Sequence, residues 1–130
     1  MGCDIHTFVE VTDDGKEWVL FDKPDTMRNY DLFERIAGVR GEEKNAISPP
    51  KGLPSDISKG TALHHKYWGE DAHSESWLHS KEIALLEKWY NAQNYRRMFE
   101  VDFGYLFGNG YNWEMEMPIQ DWRFVVWFDN

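Results

Sequence analysis

Apolar and polar residues alternate from the start of the chain. Ile5, Thr7, Val9 and Val11 fall on one side of an extended segment, and Asp4, His6, Phe8 and Glu10 fall on the other. A period of two predicts a strand over 5–11. Asp14-Gly15 is a hairpin signal, Trp18 to Phe21 supplies the returning strand, and Pro24 ends the unit. In RNYDLFERIAGVR the period lengthens: Tyr30, Phe33, Ile36 and Ala37 are spaced for a helix, with Asn29 to cap its start and Gly38 to close it.

From Gly41 to about Tyr67 the chain carries Pro49, Pro50, Gly52, Pro54 and Gly60, and no period is sustained, which predicts a long irregular loop. SWLHSKEIALLEKWYNAQNY predicts a second helix, capped by Ser80, helped by Glu82 in its first turn and turning Ile83, Leu86, Trp89 and Tyr90 inward. FGYLFGNGYNW reads as a turn between short strands or a loop lined with rings. In DWRFVVWFDN, Trp122, Phe124, Val126 and Phe128 alternate with Arg123, Val125, Trp127 and Asp129. That segment is apolar on both sides, which predicts an interior strand. The expected fold is α+β: one domain over 1–130, a mainly antiparallel sheet with two helices packed on it, and long irregular loops.

A chain of 130 residues can bury about two-thirds of its unfolded surface in one core, so no disulfide staple is needed. Cys3 is the one cysteine and has no internal partner, which suits a reducing compartment. No apolar run is long enough for a membrane span and no basic-then-apolar leader precedes the first strand, so the expected location is the cytoplasm. Acids outnumber bases 23 to 14, and the net charge of -9 opposes general nucleic-acid binding. Seven tryptophans exceed what a small core needs and point to stacking or partner contact besides core packing.

The opening, MGCDIH, concentrates reactive groups. It mimics an acylation signal, but that pattern calls for Ser or Thr at the sixth position, where His6 stands. Asp4 and His6, two apart on a strand, share a side at about 6.5–7 Å, a spacing that bridges one metal ion. A carboxylate with an imidazole suits Zn, Mn or Fe. Two ligands are not a site, and LHHKYWGEDAHSESWLH offers the rest: the expected divalent-metal set is Asp4, His6, Asp71 and His73, with Asp4, His6 and His73 as the catalytic candidates. No His-x-x-x-His or Cys-x-x-Cys pair supports it. Two other readings stand beside it: His6 as a hydrogen-bonded core imidazole with Asp71 as a turn residue, or Asp4 and His6 lining a metal-free polar pocket in which Asp4 orients a general base. Ser74 and Ser76 lack a nucleophile elbow and fit helix capping or ligand hydrogen bonding better than serine hydrolysis.

MGCDIH, RNYDLFERIAGVR, ISPPKGLPSDIS, WGEDAHSESWL and RFVVWFDN together resemble the recurring blocks of a family of small, largely uncharacterised proteins of phages, prophages and bacteria, over nearly the whole chain. The resemblance implies no established activity. It implies a mobile-element setting and marks Cys3, Asp4 and His6; Arg28, Tyr30 and Arg40; Gly52, Pro54, Asp56 and Ser58; and Asp71, His73, Ser74, Ser76 and Trp77. Lys51 departs from it, since the family pattern favours Arg there and a planar fork differs from a point charge.

These residues lead to a pocket for a small phosphorylated or nucleotide-like ligand. Arg28 and Arg40 would clamp the anion, Trp68, Trp77 and the rings of GYNW would serve as a stacking wall, and Tyr30, Asp56, Ser58, Ser74 and Ser76 would supply further polar contacts. In a phage such a protein would sequester a host signalling nucleotide, or hydrolyse it with a metal-activated water. The other reading is an acidic inhibitor of a host nucleic-acid-binding defence enzyme, a DNA mimic or anti-CRISPR-like factor, with the acids of GEEK and WEMEM on its face. A structural accessory protein with aromatic interface anchors is a third.

Overall fold

A computed structural model of the chain describes residues 2–26, 28–93, 111–112 and 117–129. Strand β1 (Asp4–Thr12) turns into β2 (Val19–Asp22) and is followed by helix α1 (Tyr30–Ala37), helix α2 (Lys59–Trp68), strand β3 (His73–His79) and helix α3 (Ser80–Ala92). The short pair β4 (Tyr111–Asn112) and β5 (Met117–Pro118) precedes the last strand, β6 (Asp121–Asp129). Of the glycine-rich stretch 103–113, only 111–112 lie among the described residues; the rest of that expectation lies outside them, as do the acids at 114 and 116.

The main sheet is antiparallel, in the order β2-β1-β6-β3, so the α+β expectation holds. β1 and β6 pair without interruption from Asp4 opposite Asp129 to Thr12 opposite Asp121. Because the register is regular, side chains sort cleanly between the two faces. Ile5, Val9 and Val11 join Phe124, Val126 and Phe128 against Leu32, Phe33 and Ile36 of α1 and Ile83, Leu86 and Tyr90 of α3. Phe8, Val125 and Trp127 form a second apolar layer on the opposite face, with Leu20, Leu53, Ile57, Trp68 and Trp77 packed on it. The sheet is therefore covered on both sides, which explains why β6 is apolar all round.

Local chemistry sets the boundaries. In the hairpin, Asp14 Oδ1 accepts the amides of Lys16 and Glu17. Asn29 caps α1 by accepting from Asp31 and Leu32, and Gly38 ends it at φ 75, where a Cβ would lie 2.7 Å from Glu43 Cα. α3 starts at its expected cap, Ser80, so the cap lies one residue earlier. His79, not Ser80, is the N-cap: its ring accepts the Lys81 amide while Glu82 accepts the His79 amide.

Two elements were not expected. α2 lies inside the supposed loop 41–67, capped by Ser58, and only Thr61 on it is buried. Its inward contacts are imidazole and indole rings: His6 on Trp68, Phe8 on His64, Trp127 on His65. An apolar period could not reveal such a helix. β3, expected as the lead into α3, is an edge strand with a bulge between His73 and Ser76 and with Ser74 at φ 54. The loop before α2 covers that edge: the amides of Gly52 and Lys51 donate to the Glu75 carbonyl and to Ser76 Oγ.

One buried ion pair joins the two long strands. Glu10 is fully buried and Arg123 is 3% exposed, and their side chains stand on adjacent strands of the α2 face. Arg123 Nε donates to Glu10 Oε1 at 2.8 Å, and Glu10 Oε2 accepts the Ser58 amide at 2.8 Å. Removing one member leaves a buried charge uncompensated, so Arg123→Met is expected to cost about 3–5 kcal/mol in urea unfolding. A loss below about 1 kcal/mol, the size of a surface pair, would contradict this.

A second set of polar contacts ties the start of α3 to β6. Asp121 accepts from His79 Nε2 at 2.6 Å, from Ser80 Oγ at 2.9 Å and from the Trp122 amide at 2.8 Å. Burial pushes its carboxyl up, but these three bonds outweigh burial and hold it below the 3.8 of a free aspartate. The unfolded chain therefore takes this proton more readily. The stabilisation is complete above pH about 4 and is lost as pH falls through the lower folded value. Asp121→Asn is expected to reduce stability at neutral pH and to flatten the loss below pH about 4 in acid titrations followed by circular dichroism. An acid limb identical to the wild type would contradict it.

Candidate functional site

The opening residues are each engaged by a neighbour. Cys3 is fully buried in the α1–α3 core, its amide donates to the Tyr30 hydroxyl at 3.1 Å, and burial raises its thiol pKa against the lowering effect of Arg40. Such a thiol stays protonated and is a poor nucleophile. Asp4 Oδ1 accepts from Arg28 Nε at 2.9 Å and Nη2 at 2.8 Å, and Gly2 makes room, since a Cβ there would overlap the Arg28 guanidinium. His6 Nε2 donates to Asp129 Oδ2 at 2.8 Å, and its ring lies on Trp68 at a centroid distance of 4.1 Å.

Asp4 and His6 do line a common cavity of about 330 Å³, beyond the end of β2, with Lys23, Asp25 and Thr26. His73 does not reach it. It stands opposite Phe128 on β6, on the α1–α3 face, with Nδ1 3.0 Å from Ser74 Oγ, whereas His6 is on the α2 face. Asp71 sits exposed in a short 3₁₀ turn, Gly69–Asp71. The expected metal set Asp4, His6, Asp71 and His73 is therefore not assembled, because the sheet passes between His6 and His73. Among the described residues no group of three or more His, Cys, Asp or Glu side chains is arranged to hold a metal ion. The catalytic grouping of Asp4, His6 and His73 is not brought together for the same reason. Asp4 and His6 share a cavity, but Asp4 holds Arg28 and His6 is held by Asp129, while Asp71 lies in a turn.

The expected ligand-binding residues divide into three places. Arg28, Tyr30 and Arg40 come together near Cys3, where Arg40 lies over the Tyr30 ring at 5.2 Å and Arg28 is held by Asp4. Ser76 and Trp77 belong to the covered edge of β3. Ser76 Oγ accepts the Lys51 amide, and the Lys51 ammonium sits 4.0 Å from the centroid of the Trp77 ring while pairing with Glu82. Ser74 stays with His73 at the bulge. Asp56 and Ser58 alone line the larger cavity.

That cavity is a groove of about 680 Å³ between the β1–β2 hairpin and the start of α2, lined by Lys16, Trp18, Leu20, Asp56, Ser58 and Lys59 among others. Gly60 lets the helix approach β2, since a Cβ there would meet Leu20 at 3.0 Å. The Ser58 hydroxyl caps Thr61, which leaves the Lys59 and Gly60 amides with no acceptor inside the helix. Asp56 Oδ1 accepts from Arg123 Nη1 at 2.8 Å and Oδ2 from Trp18 Nε1 at 3.1 Å, and the Arg123 contact keeps its carboxyl ionised below the usual range.

Sequence reasoning missed Trp18, Lys16 and Lys59, because a hairpin flank and a proline-glycine loop carry no pattern that brings them together. It also missed Glu10 and Arg123, for which a signal existed: opposite charges at inward positions of two strands apolar enough to be buried. No described helix is long and apolar enough to cross a membrane. Compared with known proteins, the chain matches no protein family, no curated protein and no solved structure.

Proposed function

We propose that the protein binds and sequesters a small phosphorylated, nucleotide-like molecule in the groove between the β1–β2 hairpin and α2. One observation carries the reading: a single groove of about 680 Å³ holds two exposed lysines, Lys16 and Lys59, beside an indole wall, Trp18. The volume is that of a small-molecule site. Lysines act on phosphate as point charges, and the first-turn amides of α2 add donors of the same sign. In a protein of net charge -9, a lining that sets Lys16 and Lys59 against Glu17 and Asp56, the latter already bonded to Arg123, is locally close to neutral and less repulsive to an anion than the rest of the surface.

Sequestration asks less of these residues than turnover. The metal-activated hydrolysis envisaged from the sequence has lost its ligand set, so the reading is a binder. By resemblance of its sequence blocks, its setting is a phage or prophage and its location the host cytoplasm, where the captured molecule would be a signalling nucleotide. The second reading, an acidic inhibitor of a basic host enzyme, draws on the net charge and on the exposed acids Asp13, Asp14, Glu42 and Glu43.

A melting-shift and calorimetry screen of nucleotides and sugar phosphates separates the two. The proposal expects at least one of them to raise the melting temperature, and Lys59→Ala to weaken that ligand about five- to tenfold, the effect of one charge-assisted contact. If no phosphorylated compound shifts melting at millimolar concentration, while the protein binds a basic partner with an affinity that falls as salt rises, the inhibitor reading replaces it.

A further inference from the structure

The groove carries a second specificity element, and the inference from it rests on the ligand reading above. Trp18 stands just before β2, next to an exposed turn, where an indole would ordinarily sample several rotamers. Here it is fixed on two sides. The Arg123 guanidinium lies 3.9 Å from its ring centroid, and its Nε1–H is held by Asp56 Oδ2 at 3.1 Å. Arg123 is buried and bonded to both Glu10 and Asp56, so the clamp on Trp18 is anchored in the centre of the sheet. One face lies against a buried cation and the Nε1 edge against a carboxylate, and the ring so held lines the groove. A wall immobilised before binding costs a ligand little ordering entropy.

Around that wall the groove is chemically divided. Leu20 and Ile57 continue the apolar surface of the ring, and Lys16 and Lys59 supply cationic heads. We infer that Trp18 is a stacking platform that makes the site selective for phosphorylated molecules bearing a planar aromatic ring, nucleoside phosphates, over those carrying a phosphate on a sugar alone. Asp56 and Arg123 are the positioning residues of that platform.

The test compares adenosine monophosphate with ribose 5-phosphate by calorimetry on the intact protein, two ligands that share the phosphate and ribose and differ in the base. Base–aromatic stacking predicts that the nucleotide binds at least about fivefold tighter. Trp18→Leu is expected to abolish most of that preference, and Trp18→Phe to keep part of it. Asp56→Ala removes a negative charge from the groove and a restraint from the indole, so it is expected to lower the ratio of the two affinities even where both rise, a split that general destabilisation would not produce. Equal affinities in the wild type would overturn the stacking inference while leaving phosphate binding in place. Failure of both ligands to bind, with no melting shift from any other nucleotide or sugar phosphate, would overturn the inference together with the reading beneath it. Should Trp18→Leu not fold, the wild-type ratio and the Phe variant decide the question.

Discussion

The Glu10 carboxylate and the Arg123 guanidinium face each other across β1 and β6 with almost no access to water. A charge buried this deeply is tolerated only if its partners are complete, and here they are. Glu10 uses both oxygens, on Arg123 and on the Ser58 amide, while each Arg123 nitrogen has a partner, Nη1 and Nη2 donating to the side chain and carbonyl of Asp56. The pair therefore fixes more than strand register. It fastens residues 56–58 to the sheet, Ser58 then sets the first turn of α2, and Asp56 with Arg123 orients Trp18. The shape of the groove follows from a charge that could not otherwise be buried.

The same economy explains the far end of the sheet. Cys3, Asp4 and His6 have the residue types of a reactive cluster, yet each answers a packing or bonding need: Cys3 fills the core, Asp4 holds Arg28 and His6 bridges Asp129 and Trp68. His6, His64 and His65 together give α2 its seat on the sheet, replacing the aliphatic stripe most helices use. Burial lowers the pKa of His64, with a smaller push from Lys23, so that ring docks as a neutral imidazole.

What could be read from the sequence divides along physical lines. β1, the hairpin, α1, α3 and β6 were legible because each buries an aliphatic or aromatic face at a clean period and carries its own turn or cap. Those elements determine the fold class. α2 and β3 were not legible, since the helix docks through His64, His65 and Trp68 and the strand is a bulged edge with Ser76 and Leu78 as its fully buried residues. The site suffered most. Grouping residues by reactive type placed His6 beside His73, but alternation along paired strands put them on opposite faces, a separation that only the strand order β2-β1-β6-β3 reveals. Asp56 and Ser58, both singled out from the sequence, do line the groove, although their partners Glu10, Trp18 and Arg123 come from distant parts of the chain.

The account stands on the claim that the buried pair holds the start of α2 rigidly against the sheet. Amide hydrogen exchange at Ser58 measures this directly, because that N–H donates to Glu10 and to no helical acceptor. Protection close to that of the central β1 and β6 amides, collapsing in Arg123→Met while β1 stays protected, is the predicted result. Exchange at Ser58 as fast as in the exposed β1–β2 turn would contradict it.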